Sequence, residues 1–176
     1  MPIKEPDFRV ETVERLAEEI ALSARTAPKA KGIDLLEIIV IKHQEIKALS
    51  QAMLEIGERE KRMVFTRDGQ SILQAAAIIV LGTKAQRIGL RYCGFCGYKD
   101  CDDNKDHDGL CAFNPGDLGI AVGSVVSQAA DRRLDNRVLY SVGRTAMDLG
   151  LVSKDVVAAL GIPLAVSGKN PFFDRG

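Results

Sequence analysis

The run Leu35-Leu36-Glu37-Ile38-Ile39-Val40-Ile41 is short, almost continuously apolar and rich in β-branched residues. Such a run is typical of a strand that is buried on both faces. Before it, residues 10–27 carry apolar side chains at every third or fourth position, until Pro28 and Gly32 interrupt the pattern. This spacing predicts a helix with one apolar face. After the strand, the same periodicity predicts a second helix over residues 43–57.

Further along the chain, the pattern predicts shorter elements. Asp68-Gly69 is typical of a turn, and residues 71–76 are expected to form a short helix that leads into a strand over residues 77–81. A further strand is predicted over residues 88–92, which run directly into Cys93. These elements would place the cysteine-containing segment at the end of a strand.

The C-terminal half is predicted to be mostly helical. Asn114-Pro115-Gly116 is typical of a turn, after which Asp117 is placed to cap a helix that runs to about residue 133. An apolar stripe over residues 139–149 predicts another helix, and Ser153 is placed to cap a last short one that ends before Gly161. With no internal repeat, the 176 residues predict a single domain, 1–176, of the α+β or α/β class.

Composition argues against several functional classes. Lys plus Arg equals Asp plus Glu, at 24 each, and the chain has no Trp and few other aromatic residues, so nucleic-acid binding is not expected. The polar, proline-containing N-terminus does not resemble a signal peptide, and the longest apolar stretch is far shorter than a membrane span. We therefore expect a soluble cytoplasmic protein that binds neither nucleic acid nor membrane.

All four cysteines fall between residues 93 and 111, within the segment Cys93-Gly94-Phe95-Cys96-Gly97-Tyr98-Lys99-Asp100-Cys101 and the stretch that returns to Cys111. Thiolates gathered this closely repel one another unless a cation or cluster neutralises their charge. Four cysteines complete the coordination of one tetrahedral zinc ion or one [4Fe-4S] cluster. Residues 93–111 are therefore the predicted metal loop, with Cys93, Cys96, Cys101 and Cys111 as ligands.

The spacing allows three interpretations of this loop: a [4Fe-4S] cluster, a structural zinc ion, and a redox-active thiol pair at Cys93 and Cys96. Only one C-x2-C pair is present, which disfavours a zinc ribbon. His107 is an alternative to Cys111 as the fourth ligand, although a solvated loop histidine is the simpler interpretation. An EF-hand reading of residues 104–109 fails because Pro115 stands where the bidentate glutamate belongs.

The stretch Cys-Gly-x-Cys-Gly-Tyr-x-x-Cys at residues 93–101 resembles the small iron-sulfur domain of bacterial electron-transport complex subunits and corrinoid iron-sulfur proteins. In that domain the first three cluster ligands have this spacing, while the last gap is longer than the nine residues here. Gly94 and Gly97 have a physical reason to be glycine, because inward-facing amides can donate to cluster sulfides where a Cβ would obstruct them.

Other segments resemble the nitroreductase-like flavoproteins. A helix that ends in Ala27-Pro28 before a strand matches their pattern, as do the small-residue helix at 117–124 and the C-terminal Gly161-Ile162-Pro163. Taken whole, the chain resembles an uncharacterised prokaryotic family of ferredoxin-domain-containing proteins. The residues that carry this resemblance are 25–29, the cysteine loop, Cys111-Ala112-Phe113-Asn114 and residues 168–175.

That resemblance implies a nitroreductase-like α+β domain, a mixed sheet flanked by helices, paired as a homodimer and carrying the metal loop as an insertion. It also makes FMN a candidate cofactor, although the arginine-rich phosphate-binding segment and the Ser and Asn after the proline are absent. Arg25, Lys29 and Lys169 are the predicted cofactor-binding residues. The Phe172-Phe173 pair near Lys169 and Arg175 is expected to cover a groove on this or a partner subunit.

These features predict a redox protein that passes single electrons from a [4Fe-4S] cluster to a flavin or a partner protein, with an oxidoreductase activity as one form of that role. The alternative is a non-catalytic binding or assembly module in which zinc or a cluster stabilises a long loop. His43 is interpreted as a structural residue at a strand–helix junction, with proton donation as the less favoured reading.

Overall fold

The computed structural model of the protein describes residues 1–173. It contains six α-helices and four strands within that range. The helices are α1 (Glu5–Thr26), α2 (His43–Arg59), α3 (Met63–Ile72), α4 (Cys101–Asp106), α5 (Phe113–Asp131) and α6 (Tyr140–Asp148). The strands are β1 (Leu36–Lys42), β2 (Ala77–Lys84), β3 (Asp135–Asn136) and β4 (Val156–Ala165).

The strands form one sheet in the order β1-β2-β4-β3, and every described pairing is antiparallel. The long pairing between β2 and β4 runs from Ala77 opposite Leu164 to Lys84 opposite Val156. Because β2 lies between two partners and between two helical layers, its residues from Ala77 to Leu81 are completely buried. The predicted α+β class, with a sheet flanked by helices, is confirmed.

Successive residues of β2 serve two separate cores. Ile79 and Leu81 pack with α1 and α5 on one face of the sheet, whereas Ile78 and Val80 pack with α2, α3 and α6 on the other. This follows from the period of two along a strand, which sends neighbouring side chains to opposite faces. It also explains why the β1 and β2 segments are continuous apolar runs.

No helix within residues 1–173 is long and apolar enough to cross a membrane.

The predicted turn at Asp68-Gly69 and the predicted helix over residues 71–76 are wrong, because residues 63–72 form α3. Gly69 is needed for packing rather than for a turn. A Cβ there would lie 3.1 Å from the Cβ of Met53 and 3.2 Å from the carbonyl oxygen of Ser50. The Ser50 hydroxyl in turn donates to the Gly69 carbonyl at 2.7 Å, so α2 and α3 are joined at a close backbone approach.

The predicted helix after Ser153 is also wrong, because residues 156–165 form β4, an interior strand of the sheet. Proline usually marks the boundary of a strand, yet Pro163 is tolerated inside β4. On the β3 side, β4 pairs only at Leu164 and Ala165, and Gly161 forms a bridge with Leu139. The missing N–H of Pro163 therefore lies in a gap between these contacts.

Two further predictions around the cysteine loop need correction. Residues 88–92 form no strand, since β2 already ends at Lys84 and no neighbour offers them a ladder. The expected turn at Asn114-Pro115-Gly116 is instead the first turn of α5, where proline is compatible with a helix because its missing N–H would have no helical partner there. Asp117 is therefore inside α5 and does not cap it.

The contact between α6 and β4 depends on glycine. A Cβ on Gly143 would lie 1.9 Å from the carbonyl oxygen of Ala159, and one on Gly161 would lie 2.1 Å from Cγ1 of Val142. Both distances are far below van der Waals contact, and the obstructing atoms at Gly143 belong to the backbone of a buried strand. The helix could accommodate an added methyl group only by moving away from the sheet.

We predict that Gly143→Ala lowers the free energy of unfolding by about 3 kcal/mol, because an added methyl group overpacks this contact. Urea unfolding followed by circular dichroism measures the change. The matched control is Gly123→Ala, a helical position with no atom within 4 Å of the added Cβ. Alanine there should be neutral or stabilising by up to about 1 kcal/mol. Equal stabilities for the two variants would contradict this account of the contact.

Candidate metal centre

The four cysteines lie on the walls of one cavity. Cys93 and Cys96 belong to the irregular segment after β2, Cys101 is the first residue of α4, and Cys111 precedes α5. All four are thiols without disulfide bonds, with Cys111 buried and the other three half-buried. Apolar groups complete the lining, mainly from Ile88, Leu90, Phe95, Ala112 and Phe113.

The thiols surround this cavity without already meeting at one point. Within residues 1–173, no group of three or more His, Cys, Asp or Glu side chains is close enough together to hold a metal ion as they stand. The structure thus brings Cys93, Cys96, Cys101 and Cys111 to a shared space. Their role as ligands of one centre stays a prediction.

Two glycines shape the segment between the first cysteines. Gly94 has φ = +75° and Gly97 has φ = +85°, values that side-chain-bearing residues rarely adopt. The Gly97 N–H donates to the Gly94 carbonyl at 3.0 Å, which closes a tight turn around Cys96. A Cβ on Gly94 would also approach the Tyr98 carbonyl oxygen at 3.2 Å. Both glycines are therefore required by the backbone path that brings Cys93 and Cys96 to the cavity.

Helix α4 is fixed at its start by a side-chain cap. The Asp100 carboxylate accepts hydrogen bonds from the backbone N–H groups of Asp102 and Asp103, at 3.1 and 2.9 Å. A capped N-terminus sets the direction in which a short helix leaves the loop. Since Cys101 is the first residue after this cap, the cap also sets the position of the third thiol.

Arg87 holds the far side of the loop through the buried Asn104. Its Nε donates to Oδ1 of Asn104 at 2.7 Å, and its terminal nitrogen donates to the carbonyl oxygens of Asn104 at 3.3 Å and Gly109 at 3.4 Å. The Asn104 amide also donates to the Leu110 carbonyl at 3.4 Å. One guanidinium group thus ties the segment after β2 to both ends of the stretch that leads to Cys111.

Asn114 closes the base of the same loop. Its side-chain amide donates to the carbonyl oxygen of Gln86 at 2.9 Å and accepts from the N–H of Gln86 at 3.2 Å, and the residue is 1% exposed. The sequence placed Asn114 in a predicted turn and in the family resemblance, and Asn104 only in the EF-hand interpretation, while Arg87 received no role. The signal that could have identified the two amides is the pair of asparagines that flank Cys111.

His107 is placed away from the cavity wall that the cysteines form. Its Nδ1 lies 2.9 Å from the carbonyl oxygen of Asp103 and 3.3 Å from the Asp103 carboxylate, and its ring stacks on Tyr98 with centroids 5.5 Å apart. The side chain is 62% exposed. Of the two proposed fourth ligands, Cys111 is the one that lines the cavity with the other cysteines.

Arg25 and Lys29 lie together at the C-terminal end of α1. The Arg25 guanidinium donates to Asp34 at 2.7 Å and to the Leu36 carbonyl at 3.1 Å. The Lys29 ammonium donates to the carbonyl oxygens of Ala24, Arg25 and Ala27 at 3.0, 2.7 and 2.7 Å, and its side chain is 5% exposed. The Lys29 contacts cap the end of α1, where cations are favoured by the helix dipole, whereas Arg25 joins that helix end to the start of β1.

Lys169 lies elsewhere, beside a cavity of about 490 Å³ between α1, the start of α2 and the chain after β4. The structure therefore groups Arg25 with Lys29 but not with Lys169, and the assignment of the three to a cofactor stays a prediction. In the C-terminal tail, Phe172 is buried in its own chain, while Arg137 lies 4.7 Å above the ring of Phe173. Arg175 lies outside the described residues.

The cavity of about 490 Å³ beside Lys169 is also lined by a buried carboxylate, that of Glu14. Glu14 is 7% exposed, and its Oε1 lies 3.2 Å from Nε2 of His43 but makes no hydrogen bond. His43 itself has φ = +46°, at the junction of β1 and α2. The His43 side chain is 66% exposed, and the start of α2 has no side-chain cap, so the structural role of His43 stays a prediction.

The chain matches, over residues 107–175, the family described as uncharacterized proteins containing a ferredoxin domain (DUF2148). It is also 38% identical to an uncharacterized protein from Archaeoglobus fulgidus, over 99% of this chain and 98% of that protein. The chain belongs to this ferredoxin-domain family. The resemblance drawn from the sequence alone is thereby confirmed.

Solved structures of nitroreductases share the fold. A nitroreductase with bound FMN from Desulfitobacterium hafniense superposes with a TM-score of 0.56 at 15% identity, covering 96% of this chain and 80% of that one. The nitroreductase CinD from Lactococcus lactis, in complex with nicotinic acid, gives 0.64 at 10% identity, over 89% and 79% of the chains. The predicted nitroreductase-like fold is confirmed. A ferredoxin-domain family on this fold indicates a redox or electron-transfer role.

We predict that Arg87→Met loosens the metal loop, because the carbonyl oxygens of Asn104 and Gly109 lose their donor. Amide hydrogen exchange over residues 98–111 should become at least about tenfold faster, which corresponds to a loss of roughly 1.4 kcal/mol. The control is Arg91→Met, since Arg91 is exposed in the same irregular segment. Unchanged exchange in Arg87→Met would contradict the assigned role of Arg87.

A second prediction concerns pH. Burial raises the pKa of Asp34, but hydrogen bonds from Arg25 and the Leu36 amide lower it, as do the charges of Arg25 and Lys29. Together these lowering effects outweigh burial, so the pKa of Asp34 lies below its usual value. A carboxylate with a depressed folded-state pKa contributes stability above its unfolded pKa of about 4, and this contribution is lost as pH falls through the folded value.

Asp34→Asn should therefore be less stable than the parent protein by about 1 kcal/mol at pH 7. The difference should begin to shrink below about pH 4 and vanish once pH is below the folded-state pKa of Asp34. Urea unfolding at a series of pH values measures it. Glu19→Gln, an exposed change in the middle of α1, is the control and should show no such pH-dependent difference. A stability difference that persists or grows at low pH would show that the Arg25–Asp34 pair is not its source.

Proposed function

We propose that this protein is a cytoplasmic electron-transfer protein in which Cys93, Cys96, Cys101 and Cys111 hold a [4Fe-4S] cluster. The observation that carries the proposal is that all four cysteines of the chain border one cavity. They arrive there from three different local structures: a glycine-rich turn, the start of a helix and the residue pair before α5. The family match to ferredoxin-domain proteins supports the same conclusion.

The residues around the cavity fit such a group. Four thiolates complete the ligand set of a cubane cluster, and the positive-φ turn at Gly94 and Gly97 is the backbone path that brings Cys93 and Cys96 to the cavity. Ile88 is 3% exposed and Cys111 is 8% exposed, so the inner wall is shielded from water. When bound, the cluster supplies one-electron redox chemistry, and the protein controls it through hydrogen bonds to sulfur and solvent exposure.

The exposed side of the cysteine cavity carries aromatic side chains that could bring a redox partner close to the thiols. The ring of Phe95 is 77% exposed, lies between Cys93 and Cys96 in sequence, and stacks on Phe113 with centroids 6.0 Å apart. Tyr92 immediately before Cys93 is fully exposed. A redox partner that docks on these aromatic side chains would approach the thiols closely. We propose the same face for contact with an electron-transfer partner protein.

A flavin-dependent reductase is the second candidate. It is supported by the fold that this chain shares with the FMN-bound nitroreductase from Desulfitobacterium hafniense. One observation argues against it. The side chains of Arg25 and Lys29, which were predicted to bind the flavin phosphate, already donate to carbonyl and carboxylate oxygens of their own chain. We also propose that the protein pairs as a homodimer, as its family resemblance implies.

The test is anaerobic purification followed by assay of iron, acid-labile sulfide and zinc. The proposal predicts about four iron and four sulfide per chain, with a brown colour that bleaches on reduction by one electron. Cys111→Ser should lose more than half of the iron. His107→Ala is the matched control and should keep it, because His107 does not line the cysteine cavity.

Each alternative has a distinct result in the same experiment. A colourless protein with about one zinc per chain that unfolds with a chelator would contradict electron transfer and establish the structural module. Iron loss in His107→Ala but not in Cys111→Ser would overturn the ligand assignment. A yellow chromophore released on denaturation would establish the flavin reductase.

A further inference from the structure

A second cavity, of about 370 Å³, lies directly beside the one that the cysteines border. The two cavities share Phe95, Ala112 and Phe113, so a wall one side chain thick separates them. On the far side, the second cavity is bounded by the segment after α1 and by one face of α5. Its remaining lining residues are Pro28, Lys29, Ala30, Gly116, Asp117 and Ile120.

The surface of this second cavity is mostly carbon. The rings of Phe95 and Phe113 lie nearly parallel, with an interplanar angle of 24°, and form one wall. Gly116 leaves open space on α5, since an added Cβ there meets no atom within 4 Å. Ile120 is 49% exposed and stands at the opening. Flat aromatic walls with few polar groups select flat apolar ligands.

The polar groups that border the cavity argue against an anionic ligand. Lys29 donates to three carbonyl oxygens of its own helix end, which leaves its ammonium group no spare donor for a phosphate. Asp117 is 6% exposed and its carboxylate accepts the Ala30 N–H at 3.1 Å. The charges of Lys29 and Asp117 offset each other, and the ammonium of Lys29 has no spare N–H, so the cavity gives a phosphate group neither net positive charge nor a lysine donor.

We propose that this cavity binds a neutral planar aromatic molecule of the quinone class, with its ring against Phe113. The inference rests on the proposed function, because it makes the cavity the place where an electron acceptor lies one aromatic wall from the thiols.

Binding is tested on the protein as purified, with iron and sulfide measured on the same sample. Equilibrium dialysis compares three probes: menadione, which is a neutral naphthoquinone, riboflavin, which is a neutral flavin, and FMN, which carries a phosphate. The proposal predicts that menadione binds at least about tenfold more tightly than FMN. Riboflavin distinguishes the two sources of a flat ring, because tight binding of riboflavin with weak binding of menadione assigns the cavity to flavin and overturns the proposal.

Two substitutions that fill the cavity locate the site. Gly116→Leu and Ile120→Trp should each weaken menadione binding at least about tenfold. Gly123→Leu and Ala130→Trp are matched controls on α5, since neither residue lines the cavity, and both should bind menadione like the parent protein. Thermal unfolding of all four variants identifies any that fail to fold, and a folded member of the filling pair is sufficient for the comparison.

The outcomes separate this inference from the proposed function. Iron and sulfide at the expected content with no menadione binding, or with equal binding in the filling and control variants, would overturn the quinone site alone. Menadione binding that the filling variants abolish in a protein without iron would support the quinone site while contradicting the cluster.

Discussion

The two hydrogen bonds between the Asn114 side chain and the backbone of Gln86 close the base of the metal loop. Between these residues the chain forms no strand, and only the short helix α4 interrupts it. Closing a segment of this length costs conformational entropy, which its own contacts must offset. The amide of Asn114, the cap at Asp100 and the guanidinium of Arg87 provide those contacts. The cysteines can face one cavity because this polar frame holds the segments between them.

Much of the fold follows from the sequence because its signals are local. The stripe along α1 and the β-branched runs of β1 and β2 bury side chains with the periods of a helix and of a doubly covered strand. The errors arise where tertiary contacts override local preference. Gly69 is typical of a turn, yet it lies inside a helix because α2 approaches its backbone. Residues 156–165 contain Gly161 and Pro163, yet they form a strand because β2 supplies a full antiparallel partner.

The metal loop shows the same division. Cysteine spacing is sufficient to select residues 93–111 as the candidate metal loop, and the structure places all four thiols around one cavity. Their role as ligands of one centre stays a prediction. The positioning residues Arg87 and Asn104 are 17 residues apart and ordinary in type, so only the fold reveals that they meet. The contacts of Arg25 and Lys29 were equally inaccessible, because a basic helix end has the same composition whether it binds a phosphate or donates to oxygens of its own chain.

Iron K-edge X-ray absorption on protein purified without oxygen tests the shared centre most directly. If the four thiols hold one cluster, the spectrum shows a first shell made only of sulfur and a second shell of iron scatterers, and both weaken together when Cys96 is replaced by serine. A metal bound without any metal–metal shell, or a first shell dominated by nitrogen and oxygen, would contradict a cluster held by Cys93, Cys96, Cys101 and Cys111.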